Sequence, residues 1–275
     1  MSKIWFVTGS SRGFGRLFAE AALSRGDKVA ATARNTDSLA GLVAAHGDAI
    51  LPLALDVTDK AAVSAAVEQA HEHFGRLDVV VNNAGYGLYG MVEELTEDQV
   101  RAQFETNVFG TLWVTQAVLP YLRAQGSGHI INLSSLLGVA AFPTTGVYSA
   151  SKAAVEGLSD SLAQEVGGFG IKVTIVEPGA FGTDFAASSI WSEPVAAYDG
   201  VREAVNAAFA TFPSPDPANV GQALLKIVDA ENPPLRVFFG SFALQAVPQL
   251  YTERVKGWEE WAEVSAEAEA GGSQG

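Results

Sequence analysis

In the stretch VYSASK, Tyr148 and Lys152 stand four residues apart. On a helix that spacing puts both side chains on one face. A cation held beside a phenol stabilises the phenolate and lowers the tyrosine pKa from its reference of about 10. A tyrosine so placed is usable as acid and base near neutral pH. Ser135 ends an apolar run upstream and can donate to a carbonyl oxygen. Taken alone, Tyr-x-x-x-Lys is common and mostly structural, so its meaning depends on what surrounds it.

A second group lies near the N-terminus. The stretch VTGSSRGFGR, residues 7 to 16, carries Gly9, Gly13 and Gly15 between an apolar run and a helix-like segment. Glycine permits positive φ and lets a ligand approach the backbone closely. The N-terminus of the following helix offers free N–H groups to a diphosphate. The spacing Gly-x-x-x-Gly-x-Gly is not the Walker pattern, which needs Lys-Ser/Thr after the last glycine. An ordinary glycine-rich turn between strand and helix stays open at this point. At the end of the second strand, an acidic residue binds a ribose 2′-hydroxyl and an arginine accommodates a 2′-phosphate. That end reads AATARN, with Arg34 and no acid, and Arg12 lies in the glycine loop. Two guanidiniums suit a phosphate through bidentate, charge-assisted bonds, which favours NADP(H). The bland alternative is two solvated arginines.

These residues need a frame to hold them. Strand-like runs fall at 3–8, 28–33, 49–55, 77–83, 128–135, 171–178 and 235–240. Helix-like segments fall at 16–25, 36–45, 59–74, 96–124, 146–166, 189–209 and 217–230. Short apolar strands without polar alternation are buried on both faces. Strands alternating with helices form right-handed βαβ units in one parallel sheet. The expectation is an α/β, doubly wound sheet in a single domain over 1–250, with no linker and no internal repeat. The end, 251–275, reads as an acidic helix to about Ala268 and then a frayed tail.

Composition narrows the class. Hydrophobic residues at 48% and charged ones at 17% support a substantial core in 275 residues. There is no cysteine, so disulfides and thiolate metal sites are excluded. A net charge of −14 disfavours nucleic acid and anionic membrane as partners. MSKIWFVTG is too short for a signal peptide, and no apolar run reaches membrane-span length. The expectation is a cytoplasmic protein.

Together the residues resemble the classical short-chain dehydrogenase/reductase family. The resemblance runs from Thr8 to about Gly240, through TGSSRGFG (8–15), LDV (55–57), NNAG (82–85), TNVFG (106–110), INLSS (131–135), YSASK (148–152) and PGAFGT (178–183). It implies a Rossmann-like, seven-stranded doubly wound sheet and a homodimer or homotetramer. It implies Tyr148 as acid/base, Lys152 as the group that lowers its pKa and binds the nicotinamide ribose, and Ser135 as the group that polarises the carbonyl. Asn107 would hold a water of a proton relay. Gly9, Ser11, Arg12, Gly13, Phe14, Gly15 and Arg34 would hold the diphosphate and adenosine phosphate. Asp56 and Val57 would meet the adenine. Asn83, Ala84 and Gly85 would line the cleft, and Pro178, Gly179, Phe181 and Thr183 would lie beside the nicotinamide.

The implied activity is hydride transfer between NADP(H) and a secondary alcohol or its ketone. A cofactor-sensing regulator without turnover predicts a broken catalytic set, whereas Asn107, Ser135, Tyr148 and Lys152 are all present. A dehydratase or epimerase relative would carry a longer substrate domain. The substrate segment is placed at about 181–215, where Phe181, Phe185, Trp191, Tyr198, Phe209 and Phe212 suggest a lipophilic small molecule. HEH at 71–73 reads as solvated surface rather than a metal pair, and no metal is expected. His46 and His129 read as loop-edge residues without a partner. Trp258 and Trp261 are expected to pack on the body or on a neighbouring subunit.

Overall fold

The computed structural model describes residues 2–270. The first apolar run forms strand β1 (Ile4–Val7), whose side chains alternate between two cores. Trp5 and Val7 enter one, and Ile4 and Phe6 the other. The chain continues through α1 (Gly13–Ser24), β2 (Lys28–Ala33), α2 (Ala40–His46), β3 (Ile50–Ala54), α3 (Lys60–Phe74) and β4 (Val79–Asn82). A short β5 (Leu88–Tyr89) precedes α4 (Glu97–Phe104) and α5 (Gly110–Gln125). Then come β6 (Gly128–Leu133), the single turn α6 (Leu136–Val139), α7 (Gly146–Val166) and β7 (Ile171–Pro178). The last part holds β8 (Ile190–Trp191), α8 (Asp199–Phe209), α9 (Val220–Asp229), β9 (Arg236–Phe239), α10 (Ser241–Glu260) and α11 (Ala262–Ala270).

Seven strands form one sheet in the order β3-β2-β1-β4-β6-β7-β9, and every neighbouring pair is parallel. Residues of α1, α2 and α9 fill the core on one face. Residues of α3, α5 and α7 fill the core on the other. The fold is therefore a single Rossmann-like, doubly wound domain. The order reverses between β1 and β4, and a crevice for ligands opens at such a switch point, outside the carboxyl ends of the strands.

Local chemistry sets the element ends. Asp59 caps α3 by accepting from the amides of Ala61 and Ala62. Thr96 and Gln99 form a capping box at the start of α4. No helix among the described residues is long and apolar enough to cross a membrane.

The structure departs from the sequence expectation in several places. The helix expected over 189–209 begins only at Asp199. Upstream, Ile190 and Ser192 donate their amides to the carbonyls of Gly87 and Tyr89, which builds a two-stranded sheet of β5 and β8. Pro194 also biases the residue before it towards extended backbone. Within the expected long helix over 96–124, residues Glu105–Phe109 widen into a π-helical turn. His129 is no loop-edge residue: it is buried in β6, and its Nε2 lies 2.9 Å from Thr174 Oγ1. Burial pushes that imidazole down to about 4. The expected boundary at residue 250 falls inside α10; α11 runs to Ala270, two residues past the expected helix end at about Ala268, and 271–275 of the expected frayed tail lie outside the described residues. Trp258 and Trp261 do not pack on the body; they are 67% and 66% exposed.

Candidate active site

The β1–α1 loop is shaped by steric demands that only glycine meets. Gly9 has φ +68°, and a Cβ there would stand 3.0 Å from Ala84 Cα. A Cβ on Gly15 would run into the Asn83 side-chain amide and the Gly9 carbonyl. Asn83 in turn ties this loop to the end of β4: its Nδ2 donates to the carbonyls of Thr8 (2.9 Å) and Gly9 (3.1 Å). Thr8 Oγ1 accepts from the amides of Asn83 and Ala84. Arg12 occupies the N-cap of α1, and no side chain caps this helix. Its first N–H groups are therefore open to a diphosphate. Ser11 and Gly13 belong to the same turn, and Phe14 packs edge-on against Phe181, with centroids 5.2 Å apart.

Arg12 and Arg34 are both exposed, and among the described residues neither makes an ion pair. Asp56 accepts from the amide and hydroxyl of Thr58, while Val57 is buried. Gly179 donates its amide to Phe239 at 2.9 Å, and Thr183 Oγ1 accepts from Phe185 at 3.3 Å. Pro178 ends β7. Thus the residues expected to hold a dinucleotide all lie in or beside segments that leave the carboxyl ends of β1, β2, β3, β4 and β7.

The residues expected to handle the proton reach the same edge. Tyr148 sits in the first turn of α7 and is 4% exposed. Lys152 lies one turn on, buried, and its Nζ donates to Leu133 O at 2.7 Å. Ser135 caps α6, accepting from the Leu137 amide at 3.1 Å. Asn107 belongs to the π turn. Its Nδ2 donates to Tyr86 O (3.1 Å) and Ser151 Oγ (3.2 Å), and its Oδ1 accepts from Tyr86 N (3.2 Å). Asn107 Oδ1 and Lys152 Nζ both border Gly85, at 3.0 and 3.7 Å from where a Cβ would sit. π turns inside helices occur often at functional sites, because they re-aim side chains.

The electrostatics differ from the sequence expectation. Burial pushes the Tyr148 phenol far above its ordinary value, Tyr89 adds to this, and a hydrogen bond with Ser135 opposes it. The expected lowering by Lys152 is not found. The ammonium is turned to Leu133 and stands 5.9 Å from the Tyr148 ring centroid. Burial also pushes Lys152 down to about 8, against the pull of Glu156.

The aromatic segment divides in two. Phe185 stands 5.9 Å from the Tyr148 ring, and Trp191 packs at a tilt on Tyr89, with centroids 4.9 Å apart. Tyr89 itself lies 5.9 Å from Tyr148. Phe209 and Phe212 instead pack with Phe142, and Tyr198 donates to Glu93. Sequence reasoning missed Tyr89, because GYGLYG has no periodicity to assign it a face. His71 stacks on Tyr121 and His73 meets Phe74 edge-on.

Comparison with known proteins agrees with this geometry. The family described as short chain dehydrogenase matches residues 3–193. Oxidoreductase BOA17 of Botryotinia fuckeliana is 44% identical over 96% of this chain and 98% of its own. A 3-ketodihydrosphingosine reductase of Bacteroides thetaiotaomicron is 39% identical over 86% and 88% of the two chains. The crystal structure of a short-chain dehydrogenase from Streptomyces avermitilis superposes with a TM-score of 0.91 at 41% identity, covering 97% and 98%. A Burkholderia cenocepacia short chain dehydrogenase, solved in complex with NADP, gives a TM-score of 0.75 at 27% identity, covering 94% and 97%.

Proposed function

The chain belongs to the short-chain dehydrogenase family and is an oxidoreductase, and from that premise we propose that it transfers a hydride between NADP(H) and a lipophilic secondary alcohol or its ketone. The observation that carries this is the convergence of Tyr148, Lys152, Ser135 and Asn107 beside the uncapped start of α1 and the exposed cations Arg12 and Arg34. The name of the Bacteroides relative agrees with reduction of a ketone. A cytoplasmic homodimer or homotetramer belongs to the same proposal.

The donor set fits a dinucleotide. The loop from Gly9 to Gly15 would take the diphosphate, and Arg12 with Arg34 the 2′-phosphate. Asp56 and Val57 would border the adenine. Asn83, Ala84, Gly85, Pro178, Gly179, Phe181 and Thr183 would border the rest of the cofactor. When bound, NADP(H) supplies or accepts the hydride.

Tyr148, held in its phenol form by burial, is poised to donate a proton to the substrate oxygen in reduction. Ser135 would donate a hydrogen bond to the same oxygen and polarise the carbonyl. Lys152 keeps its proton at neutral pH and would stabilise the phenolate left behind. Asn107 is held rigid from both sides of Tyr86, so it can anchor the water through which the lysine regains a proton.

The test is a panel of aliphatic and aryl ketones and alcohols, followed by NADPH absorbance with NADH in parallel. Each methylene buried against Tyr89, Phe185 and Trp191 should add about 0.8 kcal/mol, or roughly fourfold in kcat/KM, until the wall is covered. Tyr148→Phe keeps the ring and loses the proton. NADPH binding should persist while turnover falls by about two or more orders of magnitude. Near-wild-type turnover in a folded Tyr148→Phe enzyme would overturn the assignment, and a preference for polyols or anions would overturn the lipophilic substrate.

A further inference from the structure

One carboxylate outside the residues discussed so far bonds the segment that follows Trp191. The side chain of Glu94 has no exposed surface. Its Oε2 accepts from Met91 N and from Ser192 Oγ, both at 2.8 Å. Its Oε1 accepts from Val195 N at 2.9 Å and from the Arg202 guanidinium. Three of these four donors come from the segment that follows β7, and they span β8's far end to the first turn of α8. The adjacent Glu93 accepts from Tyr198 Oη at 2.6 Å, and β5 pairs with β8 just upstream.

The same two segments supply the wall beside Tyr148. Tyr89 comes from β5, Trp191 from β8, and Phe185 from the loop between β7 and β8. Glu94 is thus one buried point, beside the β5–β8 pairing, where the substrate segment is fastened to the rest of the domain. The Arg202 guanidinium holds its carboxyl down to about 2, so the fastening is an ion pair at any working pH. Breaking a covered ion pair by removing one partner leaves the other charge uncompensated, which is strongly unfavourable.

We propose that Glu94 is a positioning residue for substrate: it clamps residues 192–202 against the β5 segment and so fixes the wall of Tyr89, Phe185 and Trp191 beside Tyr148. This rests on the proposed carbonyl chemistry for its kinetic consequence but not for the clamp itself. The clamp also occupies the one basic residue of the segment. Between Lys172 and Lys226 the sequence holds no Lys, Arg or His other than Arg202. Engaged by Glu94, that cation is withheld from a substrate carboxylate, in keeping with a neutral substrate.

The sequence supplies a direct probe, because trypsin can cut between Lys172 and Lys226 only after Arg202. Glu94→Gln and Glu94→Ala are compared with wild type in the full chain, with cleavage followed by fragment mass. If the wall is held for only a tenth of the time, apparent substrate KM rises about tenfold. The expected result is a cut after Arg202 that is at least about tenfold faster, with carbonyl KM raised about tenfold. NADPH affinity should be unchanged, and kcat should stay within about threefold of wild type, since Tyr148 and Lys152 sit on other elements. Wild-type cutting, or faster cutting at wild-type KM, overturns the proposal. If the wild type reduces no carbonyl, the proposed function fails and the cut rate alone decides the clamp. If the Glu94 variants do not fold, Ser192→Ala removes one hydrogen bond to Glu94 and should move cutting and KM the same way by about two- to fivefold. No movement in that variant overturns the proposal as well.

Discussion

Arg12 and Arg34 are exposed cations without ion-pair partners among the described residues, and the proposed function assigns them to the adenosine phosphate. Unpaired guanidiniums in a cleft favour a dianionic phosphate over a bare hydroxyl, because each can bind two oxygens at once. Arg34→Asp reverses the sign of one of them and supplies a ribose acceptor instead. The ratio of kcat/KM with NADPH to that with NADH should fall by about a hundredfold, since charged hydrogen bonds of about 1.5–3 kcal/mol are lost and repulsion is added. Steady-state kinetics with both cofactors checks this, and a wild type that already prefers NADH would remove the basis for both arginine assignments. Tyr148 teaches a separate lesson at this scale. Its helical partner Lys152 is in the expected place, yet burial outweighs any nearby cation and keeps the phenol protonated.

Among the elements, the β1–α1 loop carries a tight steric constraint from its own backbone. Gly15 lies where α1 begins, and the Asn83 amide and Gly9 carbonyl occupy the volume that a Cβ would need. Neither neighbour can retreat easily, because Asn83 is bonded to both Thr8 and Gly9. Gly15→Ala should therefore shift the loop, at an overpacking cost of about 1–3 kcal/mol. The expected outcome is a lower Tm together with an NADPH Kd raised about tenfold or more. Thermal unfolding and a fluorescence titration measure the two, and an unchanged Kd would detach the loop from cofactor binding. The loop before α7 is strained in a different way. Thr144 adopts φ +70°, unfavourable for a β-branched residue, and its carbonyl accepts from Gly90 at 2.8 Å. That bond joins the start of the Tyr148 helix to the β5 segment, which itself meets β8.

On the scale of the whole molecule, a knot of three carboxylates shares a single cation. Glu156 and Glu177 are 6% and 1% exposed, and both approach Arg236 Nε, at 3.1 and 3.5 Å. Asp160 takes another nitrogen of the same guanidinium. One cation cannot neutralise three carboxylates, so burial and mutual repulsion raise Glu177 well above its ordinary 4.5, and Glu156 is raised with it. A raised carboxyl keeps its proton in the folded chain at pH values where the unfolded chain has lost it. Wild-type stability therefore falls as pH rises from about 4.5 towards the raised value. Glu177→Gln removes that titration. Whatever its offset at pH 5, the Tm difference, variant minus wild type, should grow in favour of the glutamine as pH rises to 8. A difference that stays flat would mean that the pair is ionised throughout.

Local information sufficed for the parts of the protein where each residue's role depends on its neighbours in the chain. The apolar runs became the sheet, and the strand 171–178 and the helix 146–166 appear with the expected bounds, because burial on both faces demands unbroken apolar strands. The glycine loop, Ser135, Tyr148 and Lys152 were legible for the same reason: a motif's spacing along the chain sets its geometry on one strand end or one helix. Contacts between distant segments were not legible. Residues 190–191 became a strand only because β5 offered its carbonyls, and Trp191 met Tyr89 through that pairing. Nothing along the chain singles out Glu94; folding brings Ser192, Val195 and Arg202 to it. The charge states of Tyr148, Lys152, His129 and Glu177 likewise depended on burial, a property of the packed molecule that no spacing along the chain encodes.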